Sequence, residues 1–534
     1  ILRALLAALL FSNSAKSGGK PPALHRSFLP AILGVLALGI LQRLASSAAG
    51  QPRFLPIFSA APWATERAVL HFACLAALLW KGPEAFTRPG SARRFAWALT
   101  SVGTLVALIG IIQNATTDHR VYGLWEVRSG RVPFGPYFNH NHATNLMGMS
   151  LLTGLGLFAS RLAGIWRRLA HGETLSNFAA LQVFLLGELG LLAWGIAASV
   201  SRGGYLAIAL SLLFVVPLAG SFAADPRRRM KYRLAAGALA LVFAAGILRD
   251  PRWVGVIQGA LDRSAASRVS LYQSGLLMFR DFPVFGVGLG AFQEVFAAYQ
   301  RTEPGFLVDH IHNDWLELLL ETGALGFTLY AGGLALFLVK IIGRWKHLSA
   351  ERFALSAGGL GAAMVFILHG FLDFPFHIPA NAVVFFAVLV GVGHVSAPEG
   401  HPAEEFQPLP ALAQRGRMAQ ILVGLALGAW ALRPAVAAWE TRQAQWGDSV
   451  ARLERAWAWD PVPSRLHSLA VEEFKRSQDR PLAAATHLRR ALKHSERNLL
   501  NRPLNPDTRN LHAAILTALG RPQDAASLWT QSLK

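Results

Sequence analysis

Asp309-His310-Ile311-His312-Asn313-Asp314-Trp315-Leu316-Glu317-Leu318-Leu319-Leu320-Glu321-Thr322-Gly323-Ala324-Leu325-Gly326 is the stretch on which the fold turns. It begins with acids, imidazoles and an amide, and from Trp315 it runs into apolar sequence that continues to Ile342. A helix needs about 20 mostly apolar residues to cross a bilayer, so this run is long enough to span. A loop rich in ionisable groups therefore ends at the mouth of a membrane helix.

The same pattern recurs outward from this point. Apolar runs at Phe28–Leu44, Thr65–Trp80, Phe95–Asn114, Ala143–Ser160, Phe178–Val200, Tyr205–Ser221 and Leu234–Leu248 precede it. Phe353–Phe371, Ala380–His394 and Met418–Val436 follow it, which predicts about 11 spans. The composition agrees: 53% of the 534 residues are hydrophobic, 15% are charged, and the mean hydropathy is +0.36. Ordinary soluble domains are about 25% charged, so the balance excludes a disordered tail protein and argues against a purely soluble enzyme. A single cysteine, Cys74, excludes a disulfide framework and any cysteine-based zinc site. The net charge of +20 is spread between apolar runs, a membrane pattern that argues against a nucleic-acid partner. Ile1–Phe11 is too short to span and reads as an interfacial helix or the remnant of a signal-like segment.

Three regions follow: an N-terminal cytoplasmic or interfacial segment (1–27), a membrane domain (28–436) with a long extracytoplasmic loop (249–314), and a helical extracytoplasmic tail (437–534). The orientation rests on lysine and arginine being retained on the cytoplasmic side. Lys16 and Lys20; Lys81, Arg93 and Arg94; Arg161, Arg167 and Arg168; Arg227–Arg229; and Lys340, Arg344 and Lys346 alternate with spans so that all fall on one face. The opposite loops contain no lysine but carry Arg128, Arg131, Arg202, Arg268 and Arg280 among others. Arginine without lysine favours planar, bidentate recognition of phosphate. For any one of these arginines, the plainer reading is an ion pair with Asp250, Asp262, Asp281 or Glu303.

In the tail, Ala456 and Ala491 occupy equivalent helical places about one 34-residue tetratricopeptide period apart, and Leu519-Gly520 resembles the entry to a second repeat helix. An unrelated helical bundle is the alternative. Either is an appendage for protein contacts, without visible chemistry of its own.

His312-Asn313, nine residues, Gly323, two residues and Gly326 fit the H-[NSQ]-x9-G-x2-G signature of the O-antigen ligase/polymerase family. Phe134 to Ala143, with Asn139, Asn141 and His142, resembles that family's F-x-N-x-N-H-x-A stretch. Ser201-Arg202-Gly203 resembles its S-R-[GA] turn. Arg268 followed by Pro283, Gly286, Gly288, Gly290 and Phe292 resembles its R…P-x-x-G-x-G-x-G-x-F segment. The resemblance covers roughly 116–390. His140 stands where the family more often has another residue and is given no role.

The resemblance implies an all-α, GT-C-like polytopic bundle in the bacterial inner membrane with its active site facing the periplasm. It implies a glycosyltransferase that moves a glycan from a polyprenyl diphosphate carrier to a lipid, glycan or protein acceptor, as ligase or polymerase. No metal or cofactor is required by it. A sugar hydroxyl needs a base with a pKa near ambient pH, and His312 fits that need, with Asn313 or Asp309 as residues to orient the ring. A departing diphosphate needs positive charge, from Arg202 and Arg268 first and from Arg128, Arg131 and Arg280 in reserve. Asn141 and His142 complete the expected substrate contacts.

His310 and His312 as two metal ligands lack an evident third and fourth; Asp309 or Asp314 would have to serve, and adjacent residues rarely close a compact site, so a metal site is disfavoured. Gly286-x-Gly288-x-Gly290 reads as a tight turn that lends amides to phosphate, because its spacing is wrong for a dinucleotide fingerprint. His369, Asp373 and His377 form a second cluster at the same side, as a substrate contact or as a helix-end network that fixes Asp373. A transporter or channel for an anionic solute is the competing reading; it calls for ionisable residues at mid-bilayer depth and paired half-helices, which the spans do not offer. A non-catalytic scaffold would not gather histidine and arginine at loop mouths.

Overall fold

The computed structural model describes residues 27–46, 57–116 apart from 87 and 89, 120–121, 125–126, 133–170, 176–222, short runs between 226 and 238, 263–301, 308–397, short runs between 436 and 444, and 449–530 apart from 461 and 502–504. Helices dominate the membrane domain: α1 (Leu29–Ser46), α2 (Pro62–Lys81), α3 (Ser91–Thr116), α4 (His140–Ala170), α5 (Ser176–Ser199), α6 (Arg202–Ser221), α7 (Arg263–Asp281), the short α8 (Phe292–Phe296), α9 (Asp314–Arg344), α10 (Ala350–His369) and α11 (Pro379–Val395). A two-residue antiparallel pair, Arg120–Val121 with Trp125–Glu126, is a minor exception. Seven of the described helices (α1, α3–α6, α9 and α10) are long and apolar enough to cross a membrane, and α11 is a shorter apolar helix. The molecule is an all-α polytopic bundle. The spans expected at Leu234–Leu248 and Met418–Val436 lie almost wholly outside the described residues, as do Ile1–Phe11, Arg128 and Arg131.

Exposed Val102, Leu105, Ile112, Val183, Phe184 and Trp194 put apolar surface on the outside of α3 and α5, as a lipid-facing bundle requires. Inside, α4 and α10 form the central pair. They approach closely at Gly156 and Gly358, where a Cβ built on Gly156 would come within 2.7 Å of the Gly358 Cα. Small residues at a membrane helix crossing allow this contact, and dispersion between the backbones replaces the missing hydrophobic drive. Phe28, Tyr330, Phe337, Phe366, Phe385 and Phe386 fill the core around the pair.

The apolar run read as one span from Trp315 to Ile342 is a broken helix. Gly323, inside α9, has φ 64° and ψ −173°. Residues 283–289 of the preceding loop enter this break: the amides of Val287 and Gly288 donate to the carbonyls of Leu320 and Glu321, and those of Ala324 and Leu325 donate to Pro283 and Val284. Gln42 of α1 closes the joint, donating to the Phe285 carbonyl at 2.7 Å and accepting from the Leu289 amide at 3.0 Å. Backbone groups freed at membrane depth must find such partners. The two glycines are steric requirements, since a Cβ on Gly323 would lie 2.2 Å from Val284 and one on Gly286 2.4 Å from the Glu321 backbone. The amides expected to serve phosphate at residues 287 and 288 are thus committed to α9.

The described tail comprises α12 (Ser449–Trp459), α13 (Pro463–Asp479), α14 (Ala484–Asn501), α15 (Pro506–Ala518) and α16 (Pro522–Thr530), each packed on the next. Ala456 and Ala491 are both fully buried there.

Candidate functional site

α9 starts at a side-chain cap: Asn313 Oδ1 accepts from the Leu316 amide at 3.0 Å. This satisfies one of the amides that a helix start leaves unpaired. Asn313 is therefore engaged with its own helix. Just before it, His312 takes a left-handed backbone, φ 56°, which is uncommon outside glycine. The Tyr272 hydroxyl of α7 holds this turn by donating to the His312 carbonyl at 3.1 Å.

The turn aims the ring at Asp373, whose Oδ1 lies 3.1 Å from His312 Nδ1. The orienting bond expected from Asn313 or Asp309 is made by Asp373 instead; Asp309 is exposed and accepts from Gln293 at 2.9 Å. Asp373 itself is 1% exposed, just past the end of α10, and its Oδ1 also accepts from the Phe374 amide. Burial opposes its ionisation, but the His312 hydrogen bond and the surrounding histidines outweigh that cost and hold the carboxyl below the usual range. An ionised Asp373 accepts at Nδ1, which leaves the lone pair of His312 on Nε2, on a side chain 33% exposed.

A second set of histidines and carboxylates adjoins the first. His310 Nδ1 lies 2.8 Å from Glu317 Oε1, and Glu317 Oε2 accepts from the Ile311 amide. His377, in the turn Pro375–His377, sits with Nδ1 2.8 Å from Asp314 Oδ1 and Nε2 3.2 Å from Glu317 Oε1. Burial works against a charge on the His377 ring, yet the flanking Glu317 and Asp314 carboxylates raise its pKa to about 10. The cluster read from sequence as His369, Asp373 and His377 is thus split: Asp373 serves His312, and His377 serves Asp314 and Glu317. Phe374 joins the two sets, with the rings of His310, His142 and His312 at 4.4, 4.8 and 5.1 Å from its centroid.

Helices α4 and α6 supply the opposite wall. Asn141 Oδ1 accepts from Ser201 Oγ at 2.7 Å, and Ser201 caps α6, whose first residue is Arg202. A Cβ on the adjacent Gly203 would stand 3.5 Å from His369 Nε2, so the start of α6 lies against the His369 ring. Asn145 contacts His369 Nδ1 at 3.2 Å, and Asn381 ties Asn145, the His142 carbonyl and Tyr137 together. Arg268 stands one turn before Tyr272 on α7, and its charge reaches both Tyr272 and His369. Arg280 is exposed twelve residues further along α7, about 18 Å away at 1.5 Å per residue.

Among the buried polar atoms without a hydrogen-bond partner in the described residues, three lie here: His142 Nδ1, His369 Nε2 and Asp373 Oδ2. Each such atom costs roughly 1–3 kcal/mol. All three belong to mutually interacting groups at this end of the bundle, where a polar occupant would satisfy them.

Against known families, residues 189–331 match the profile described as O-antigen ligase. Over that stretch the chain is similar to the O-antigen ligase family. No curated protein matches the chain. The O-antigen ligase segment contains Arg202, Arg268, His310, His312 and Glu317, whereas His142, His369, Asp373 and His377 reach the site from outside it.

Sequence reasoning missed Tyr272, Phe374 and Glu317, and weighed Asp314 only as a metal ligand beside His310 and His312. Glu317 carried a signal, since a carboxylate at the start of a membrane span needs partners. Tyr272 and Phe374 carried none.

Proposed function

We propose that the protein transfers a glycan from a polyprenyl diphosphate to an acceptor hydroxyl at the periplasmic face of a bacterial inner membrane, as an O-antigen ligase or as a polymerase of O-antigen or exopolysaccharide. The observation that carries this reading is the His312–Asp373 pair: a partly exposed imidazole whose Nδ1 meets a buried carboxylate at 3.1 Å, at the end of the bundle where α6 and α7 bring Arg202 and Arg268. His312 Nε2 takes the proton of the acceptor hydroxyl as its oxygen attacks the anomeric carbon. The bond from that carbon to the phosphate oxygen breaks, and the diphosphate leaves on its lipid. Arg202 and Arg268 meet its charge, which the loss of the glycosyl carbon increases. Asn141, His142, Asn313 and Asp309 are substrate contacts of secondary rank in this scheme, and the tail is a surface for a protein partner.

The test incubates purified protein with a synthetic polyprenyl diphosphate glycan and candidate acceptors. A single added unit identifies a ligase and a ladder of sizes a polymerase. His312→Ala is expected to lower transfer by about 10²–10⁴-fold, the usual contribution of a positioned base. A loss below tenfold in a folded variant rejects His312 as the base.

A further inference from the structure

We propose a binding site for one divalent transition-metal ion, of the zinc type, formed by His310 Nδ1, Glu317 Oε1 and His377 Nε2. One ligand atom from each of these residues falls within 4.8 Å of the others, an arrangement found for no other such group among the described residues. The pair weighed from sequence, His310 with His312, is not this set: His312 turns to Asp373.

The chemistry of the donors fits the ion. Two imidazoles and one carboxylate form a three-ligand set that zinc sites use, with a fourth position left for water or substrate. Four-coordinate N/O donors at about 2.0–2.1 Å from an ion stand about 3.3 Å apart. The Nε2–Oε1 separation of His377 and Glu317 is 3.2 Å, and that of His310 and Glu317, 2.8 Å, needs to open by about half an ångström.

The outer contacts are those that metal ligands ordinarily have. A ligating histidine commonly gives its other ring N–H to a carboxylate, which fixes the tautomer. His377 Nδ1 meets Asp314 Oδ1 at 2.8 Å, and Asp314 is itself held by the Phe376 amide. The second oxygen of Glu317 accepts from the Ile311 amide. Asp314, Glu317 and Glu321 are all nearly inaccessible and stand within the first turns of one helix. A divalent charge compensates carboxylates that water cannot reach. The two imidazoles keep 26% and 29% of their side chains exposed, which gives an ion a way in.

As a hydrogen-bonded cluster alone, the same contacts are held by protons shared between the rings and the carboxylates. An ion replaces the protons at His377 Nε2 and His310 Nδ1. It would join the loop that carries His312 to the turn after α10, two segments that the chain connects only through α9 and α10. The proposal stands on these residues and does not depend on glycan transfer.

Purified full-length protein is stripped with a chelator, dialysed and titrated with Zn2+, and bound metal is counted by emission spectrometry. X-ray absorption at the zinc edge then reports the ligands. About one ion per chain is expected, with imidazole scattering from two rings. His377→Ala and Glu317→Gln should each lose the ion. Asp314→Asn should bind about 10–100-fold more weakly, and His312→Ala should bind as the unaltered protein does. Absence of stoichiometric binding to the unaltered protein overturns the site, as does an absorption spectrum without imidazole ligands. Unchanged binding after His377→Ala also overturns it, showing an adventitious site elsewhere. If a variant fails to fold, the spectrum of the unaltered protein still decides.

Discussion

At the scale of single residues, the site depends on a buried carboxylate that stays charged. Asp373 has its carboxyl depressed in the folded chain, so its contribution to stability is present above the ordinary carboxylate pKa and is lost as pH falls through and below about 4. The unaltered protein should lose thermal stability steeply on acidification from pH 5 to 3, and Asp373→Asn should flatten that dependence; detergent-phase melting curves at both pH values check it. Equal slopes would show that Asp373 is not held ionised by His312. The arginines separate in the same way. Arg268 is one turn from the residue that holds the His312 turn and its charge reaches His369, whereas Arg280 is exposed at the far end of α7. Arg268→Ala should raise the KM for the diphosphate donor about tenfold or more, the value of a charge-assisted phosphate contact, with the acceptor KM little changed. Arg280→Ala should stay within about twofold. A reversed pattern would assign donor recognition to the wrong end of the helix.

At the scale of elements, the span after His312 matters for its break. Nine residues separate the Asn313 cap from Gly323, which is the length of helix between the site and the point where residues 283–289 insert. The spacing is mechanical: it sets how far the loop joint stands from the imidazole. Gly323→Ala places a methyl 2.2 Å from the Val284 backbone at a φ that alanine adopts only with strain. The expected cost is about 2–4 kcal/mol, at the severe end for a single substitution. Its signature is a lower melting temperature with impaired transfer, while Gly332→Ala on the same helix, where a Cβ meets nothing within 4 Å, should be nearly silent. Equal melting temperatures for both variants would contradict the joint.

At the scale of the whole molecule, the α4–α10 crossing brings the two halves of the site together. α4 carries Asn141 and His142, and α10 ends in His369 just before Asp373. Gly358→Val would drive the helices apart at Gly156, since even a Cβ there would lie 2.5 Å from the Gly156 Cα. Folded yield and transfer should fall together, although no group of the site is altered; full activity at normal yield would disprove the coupling.

Much of this protein was legible in its sequence. Bilayer thickness imposes the length of an apolar run whatever it packs against, so the helical, membrane-spanning class needed no tertiary information. His312, Arg202 and Arg268 stood out because the motifs that hold them resemble those of the O-antigen ligase/polymerase family. Which carboxylate meets which imidazole was not encoded at that range. Asp373 is 61 residues from His312 and His377 is 63 from Asp314, and only helix packing brings them within hydrogen-bond distance. The break at Gly323 was hidden for the same reason: a glycine in an apolar run reads as helix until the loop that fills the gap is in place. Sequence determined the helical, membrane-spanning class and which residue types gather at the loop mouths. Tertiary structure decided the pairing, because hydrogen bonds and ion pairs act over a few ångströms and the chain reaches those distances only through its fold.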